Sequence, residues 1–116
     1  MPFDLLQASL ASVGRYARFT NSMRHVYGAM ERSLDASSSP AVAPLWSTFG
    51  QSLRREPSLA QDLADVAGAD SADLPPSPAT LEYMMAIEEA AGADAADGGG
   101  RLIGHLYCRR VLSQRY

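Results

Sequence analysis

Cysteine is nearly absent from this sequence, in which Cys108 is the single thiol. One thiol cannot form an internal disulfide, so a reducing compartment is the simpler expectation. Long hydrophobic runs are also lacking, because no apolar stretch approaches the roughly 20 residues that a membrane-spanning helix needs. These absences predict a chain without internal disulfides and without a membrane span.

Signals for export and for nucleic-acid binding are weak. The first residues lack the basic and apolar segments of a secretory signal peptide, and Arg15 and Arg18 give only a faint hint of a transit peptide. The formal net charge of -3 provides no overall positive field for nucleic acid. The arginines between residues 101 and 115 are interpreted as a solvated helix face. We expect a soluble intracellular protein, in cytoplasm or plastid, that binds no nucleic acid.

Strand signals are missing too, since no apolar and polar residues alternate over a sustained run and no Asn-Gly or Asp-Gly turn separates β-branched segments. Helical periodicity takes their place. The clearest pattern is a set of apolar residues at spacings of three and four, which indicates one buried helical stripe. Its members are Tyr16, Phe19, Met23, Val26, Tyr27, Met30 and Leu34. The 116 residues suit one all-α domain of five or six helices.

Turn and capping residues divide the rest of the chain. Gly14 predicts a break or a kink between a first helix over 4–13 and the helix that carries the stripe. Further helices are expected over 47–56 and 57–68, and then from a Ser77-Pro78 start to Gly92. Residues 94–100 are small and glycine-rich, which predicts a flexible connection. The last helix starts near Arg101 and shows no stop signal before Tyr116, which favours a truncated helix.

Few residues could carry chemistry. His25, His105 and Cys108 do not supply the two ligand pairs of a structural zinc site, so no metal site is predicted. Tyr27 and Tyr107 fall on the predicted buried stripes of their helices, where a phenol normally seeks a hydrogen-bond partner. Arg109 lies near the edge of the last apolar face, where it could pair with an anionic ligand or a tyrosine. Core tyrosines with a surface arginine are the alternative interpretation.

Read in order, several short motifs resemble the haem oxygenase family. Residues 23–31 are similar to the centre of the family's second long helix, with a tyrosine followed by a hydrophobe and a glutamate. Residues 39–45 match its S-P-x-x-A-P-x loop, and residues 59–63 match its L-x-x-D-L segment. Ser77-Pro78-Ala79 resembles its T-P-A helix start. Residues 102–109 match L-x-x-H-x-Y-x-R, which leads into the distal helix over the haem.

The resemblance implies an all-α haem-oxygenase-like bundle that opens haem to biliverdin, carbon monoxide and iron. Haem would be both substrate and cofactor, and a reductase or ferredoxin would supply electrons. By position, Tyr27 and Arg109 match members of the distal hydrogen-bond network. Tyr107 and Arg109 match residues that contact the haem. Residues 1–116 would form a single, partial domain.

Two departures from the family pattern predict impaired catalysis. The family's proximal histidine would fall before Met1 by spacing, so the resemblance implies a missing first helix and no iron ligand at that place. Leu112 and Ser113 replace a glycine and an aspartate of the family's distal turn, whose end is also missing. The alternatives are a haem- or tetrapyrrole-binding pseudoenzyme and a non-catalytic helical interaction module that associates with a partner or with itself.

Overall fold

The computed structural model describes residues 3–68 and 74–114, with side chains described within 12–68 and 74–108. Within these ranges the chain forms five α-helices and no strand, which confirms the all-α prediction. None of the helices in the same ranges is both long and apolar enough to cross a membrane. The helices are α1 (Phe3–Ala36), α2 (Ala43–Leu53), α3 (Glu56–Ala67), α4 (Pro78–Asp97) and α5 (Arg101–Gln114).

Helix α1 sets the long dimension of the molecule. Its 34 residues span about 51 Å at 1.5 Å per residue, and the whole molecule measures 58 × 27 × 26 Å. The break predicted at Gly14 is wrong, because α1 passes through this position without interruption. One glycine costs a helix roughly 1 kcal/mol relative to alanine, and the good helix formers around Gly14 offset that cost.

The core lies where α1 packs against the other four helices. Four members of the predicted stripe, Val26, Tyr27, Met30 and Leu34, are buried there as expected. Trp46 of α2, Ile87 of α4 and two leucines of α5, Leu102 and Leu106, join the same cluster. The carboxyl-terminal half of α1 is therefore the central element of the fold.

The amino-terminal end of the stripe is not buried. Tyr16 is 48% exposed and Phe19 is 59% exposed, which contradicts the prediction for these two residues. Thr20, one residue later, is only 2% exposed. Thr20 is therefore covered by the packed body, whereas the neighbouring helices leave Tyr16 and Phe19 uncovered.

Several predicted helix boundaries are confirmed. Gly68 ends α3 with a positive φ of 94°, a conformation that glycine adopts at little cost. Ser77 caps α4, because its Oγ accepts a hydrogen bond from the Thr80 backbone N–H at 3.2 Å. Pro57 lies in the first turn of α3, where its missing N–H leaves no helical bond unmade.

The end of α4 differs from the prediction. The helix does not stop at Gly92 but continues to Asp97 and ends at Gly98, which has a left-handed φ of 71°. The expected flexible connection is therefore mostly helix, and only Gly98, Gly99 and Gly100 join α4 to α5. The physical reason is the alanine content of this segment, because alanine has the highest helix propensity and outweighs a single glycine.

Candidate functional site

Tyr27 is the most unusual of the predicted site residues. Its side chain is 2% exposed and lies in the core cluster with Leu102 and Leu106 of α5. Its hydroxyl is buried and has no hydrogen-bond partner among the described residues. Buried phenols are normally paired, since an unpaired buried polar group costs about 1–3 kcal/mol. The Tyr27 hydroxyl therefore retains a hydrogen bond that it could make with a further group.

The two residues predicted on α5 do not join Tyr27 in the core. Tyr107 is 69% exposed, which contradicts its predicted place on the buried stripe. It follows Leu106 and so points about 100° away from that buried leucine. The side chain of Arg109 lies outside the described residues, and only its place in the backbone of α5 is defined. The structure thus places Tyr27 in the core and Tyr107 on the surface.

Both histidines have hydrogen-bond partners within the protein. His25 Nε2 lies 2.8 Å from the Leu74 carbonyl oxygen, to which a protonated Nε2 donates, and 3.2 Å from the Arg24 guanidinium. His105 Nδ1 lies 3.3 Å from the Tyr83 hydroxyl, and the two rings pack edge to face. Within 12–68 and 74–108, no group of three or more His, Cys, Asp or Glu side chains could hold a metal ion.

Glu31 is a buried carboxylate that caps a neighbouring helix. It is 3% exposed, and its two oxygens each accept a backbone N–H at 3.0 Å, from Arg55 and from Glu56. These donors belong to the amino end of α3, where helical N–H groups lack intrahelical partners. Burial raises the pKa of Glu31, and the two hydrogen bonds only partly oppose this shift.

Asp94 performs the same task for α5. It is fully buried, and its oxygens accept the backbone N–H groups of Arg101 and Leu102 at 3.0 Å. The Arg101 guanidinium also approaches at 3.3 Å. Burial by itself would raise the pKa of Asp94, but these hydrogen bonds outweigh it and lower the pKa. Asp94 therefore fixes the start of the helix that carries Tyr107 and Arg109.

A third carboxylate, Asp35, links α1 to α2. Its Oδ1 accepts a hydrogen bond from the Trp46 indole at 2.9 Å and forms an ion pair with Arg54. The Arg54 guanidinium also lies over the Trp46 ring, 5.2 Å from its centroid. Arg54 and then Trp46 lower the pKa of Asp35 by donating to the charged form. These contacts organise a helix junction and contain no reactive pair.

Two of the cavities among the described residues open beside α1, and neither of these two is lined by Tyr27 or Tyr107. The larger, of about 410 Å³, is a groove between α1 and α4 with mostly small residues and with Arg32 and Glu88. Its α1 residues lie roughly 140–240° around the helix from Tyr27, so it opens on the far side of α1. The smaller, of about 210 Å³, is lined by charged residues that include Glu31, Asp35 and Arg54.

The comparisons with known proteins decide the family. The family model described as "Heme oxygenase" matches residues 4–113, which is nearly the whole chain. The chain belongs to the heme oxygenase family. No curated protein and no solved structure matches it. The resemblance carried by the short motifs is thereby confirmed at the level of the family, and the individual roles of Tyr27, Tyr107 and Arg109 stay predictions.

The described side chains offer a hydrogen-bonding group for a haem but no clear ligand for its iron. The unpaired, buried Tyr27 hydroxyl fits the hydrogen-bonding surroundings that a heme oxygenase gives its ligand. An iron ligand does not follow from the same residues. His25 is the one histidine of α1, and its Nε2 is bonded to the Leu74 carbonyl. A protonated Nε2 has no lone pair for a metal, so this nitrogen is not available to iron while it donates to Leu74.

Sequence reasoning missed the capping carboxylates. Asp94 precedes the start of α5 by seven residues, whereas a capping residue is normally sought immediately before the helix. Glu31 appeared only as part of a family motif, although it caps a helix 25 residues away in sequence. A signal for Glu31 was available in the sequence, because this acid lies in an apolar stripe with Tyr27, Met30 and Leu34. A carboxylate buried among apolar residues needs a hydrogen-bond donor beside it.

Proposed function

We propose that this chain is a haem-binding member of the heme oxygenase family in which oxygen activation is impaired. In this proposal residues 1–116 act as one helical domain, and Tyr27, Tyr107 and Arg109 surround the ligand. The observation that carries the proposal is the Tyr27 hydroxyl, which is buried without a partner in a chain that matches the family over residues 4–113.

Each residue has a distinct part in this proposal. Tyr27 hydrogen-bonds to the ligand or to a water beside it, which satisfies its hydroxyl. Tyr107, being exposed, offers an aromatic face and a phenol to the rim of the haem. Arg109 pairs with a haem carboxylate, since a guanidinium binds carboxylates in a two-pronged fork. All three residues bind and orient the ligand.

Impairment is inferred from two residues near the end of α5. When bound, haem supplies the iron at which oxygen is activated, with electrons from a reductase or ferredoxin. Leu112 has a side chain where the family has a glycine that lets the backbone approach the ligand. Ser113 is shorter than the family's aspartate and is uncharged, so it orders water less strongly.

The binding part of this proposal is tested by titrating the purified chain with hemin and following the Soret band. We expect saturable binding of one hemin per chain. Tyr27→Phe is the sharpest variant, because it removes only a hydroxyl without a protein partner and should leave the unfolding free energy unchanged or higher. Loss of one hydrogen bond to the ligand should weaken hemin binding by roughly two- to tenfold.

Further variants locate the site and test the impairment. Tyr107→Ala and Arg109→Ala should also weaken hemin binding, whereas Tyr16→Ala is a matched control on an exposed aromatic residue of α1. With a reductant in air, the unmodified chain should form little or no biliverdin, and Leu112→Gly with Ser113→Asp should increase it. Ready formation of biliverdin by the unmodified chain would contradict the impairment. Hemin binding that is not saturable, or that Tyr27→Phe leaves unchanged, would contradict the site.

A further inference from the structure

An uncovered apolar stripe lies on the amino-terminal half of α1. Val13, Tyr16 and Phe19 are spaced three residues apart and are 49%, 48% and 59% exposed. We call these three residues the α1 stripe. Arg15 and Arg18 are exposed beside it. Clustered apolar side chains with a polar rim are typical of protein interaction sites, whereas single exposed apolar residues are ordinary.

A second uncovered stripe lies on α4. Leu81 and Met85 are four residues apart and are 48% and 59% exposed. We call these two residues the α4 stripe. Glu82 and Glu89 are exposed on one side of it. At 100° per residue these acids lie within roughly 100° of Leu81, so one helix face presents both the apolar pair and the negative charges.

The charges around the two stripes are opposite, and the sequence keeps them separate. No acid occurs between Asp4 and Glu31, so arginines are the charged groups of α1 between these two residues. No Arg, Lys or His occurs from Glu56 to Gly100, a segment that holds most of the thirteen acids. The α1 stripe is therefore apolar and positive, and the α4 stripe is apolar and negative.

We propose that these stripes bind each other between two copies of the chain, with the α1 stripe of one copy on the α4 stripe of the other. Both surfaces occur on the same molecule and are complementary in hydrophobicity and in charge, so a second copy satisfies them without any other partner. This association does not depend on haem.

The spacing within the stripes supports helix-on-helix docking. The α1 stripe is a ridge of residues three apart, and the α4 stripe is a ridge of residues four apart. Ridges of the first kind pack into grooves of the second kind when two helices cross at about 20°. Nearly aligned helices bring the arginines of one copy along the glutamates of the other over several turns. The contact closes as a two-fold pair or continues as a chain of copies, depending on the relative direction of the two faces.

The first test measures the mass of the intact chain by sedimentation equilibrium over a range of concentrations and salt. We expect reversible association that rises with concentration and weakens as salt is added, because the Debye length falls from about 10 Å at 0.1 M to about 3 Å at 1 M. A chain that is monomeric at every concentration in low salt would overturn the proposal.

Charge reversal identifies the surfaces. Arg15→Glu with Arg18→Glu, and separately Glu82→Arg with Glu89→Arg, should each weaken self-association by roughly tenfold or more, since like charges then face each other. All four positions are exposed, so circular dichroism should show unchanged helix content. Mixing the two variants should restore association, because the reversed α1 stripe of one variant then faces the reversed α4 stripe of the other, and the two native stripes still face each other with opposite charges.

The chain with all four reversals combined is the decisive variant, since it again has opposite charges on its two stripes. It should self-associate like the unmodified chain, whereas each double variant should not. The matched control is Asp62→Arg with Asp65→Arg on exposed positions of α3, which should leave association unchanged. Failure of the fourfold variant to associate would overturn the proposed pairing.

Discussion

Glu31 and Asp94 are carboxylates from different helices that each cap the start of another helix. Both are nearly inaccessible to solvent, and both accept two backbone N–H groups at 3.0 Å. Their pKa values nevertheless move in opposite directions. Desolvation raises the pKa of Glu31, whereas the hydrogen bonds from Leu102 and Arg101 outweigh desolvation and lower the pKa of Asp94. The ion pair with Arg101 accounts for part of this difference.

These directions give opposite contributions to stability against pH. A carboxyl whose pKa is lowered on folding stabilises the fold above its unfolded value, 3.8 for Asp94, and this contribution is lost as the pH falls through the folded pKa. A carboxyl whose pKa is raised, as for Glu31, contributes stability below its unfolded value of 4.5 that is lost as the pH rises through the folded pKa.

Asp94→Asn tests the cap at the scale of one residue. An amide nitrogen cannot accept a hydrogen bond, so the backbone N–H of Arg101 or Leu102 loses its acceptor. We expect a loss of about 1–3 kcal/mol in the free energy of unfolding at neutral pH, measured by urea denaturation. The difference from the unmodified chain should shrink as the pH falls below 3.8. Asp97→Asn is the control, since Asp97 lies at the surface, and an equal loss there would contradict the role of Asp94.

At the scale of the helices, Gly14 and Gly98 differ in whether their backbone conformation tolerates a side chain. Gly14 lies inside α1 and has ordinary helical backbone angles, whereas Gly98 ends α4 with a φ of 71°. A side chain at position 14 would meet the Arg18 guanidinium at 3.5 Å, an ordinary contact. At position 98 any side chain would be strained by the positive φ.

The two alanine substitutions should therefore change stability with opposite signs. Gly14→Ala should raise the free energy of unfolding by about 0.5–1 kcal/mol through the higher helix propensity of alanine. Gly98→Ala should lower it by about 1–2 kcal/mol through backbone strain. Thermal unfolding followed by circular dichroism measures both. A loss of stability in Gly14→Ala would indicate that α1 does bend at this position in solution.

The sequence predicts those helix boundaries that are set by a capping side chain or a glycine at the boundary itself. The Ser77 side chain caps the start of α4 and the Gly68 backbone ends α3, and the sequence predicts both boundaries. Gly92 predicts a helix end because glycine lowers helix propensity, but the helix-forming alanines around it continue the helix to Asp97. Asp94 could not be found in this way, since its partners are brought to it by the turn between α4 and α5.

At the scale of the whole molecule, periodicity predicted which faces are apolar but not which of them are covered. Tyr27 and Phe19 belong to one stripe, yet Tyr27 is 2% exposed and Phe19 is 59% exposed. The difference arises because, among the described side chains of α1, those before Thr20 are not covered by the other helices. Tyr107 was misplaced for a related reason: the neighbours of α5 cover Leu102 and Leu106, and Tyr107 lies a quarter turn away from them. The sequence therefore predicted one member of the candidate site in its correct surroundings.

Because α1 is packed unevenly, its two halves should unfold locally at different rates. Residues 12–19 are held mainly by their own helical hydrogen bonds, so they should open by local unfolding, whereas residues 26–34 should open only with the core. Amide hydrogen exchange of the monomer should be roughly tenfold or more faster in residues 12–19 than in residues 26–34. Equal exchange in both segments would contradict this division. Residues 12–19 are then the part of the molecule that a binding partner can stabilise without disturbing the core.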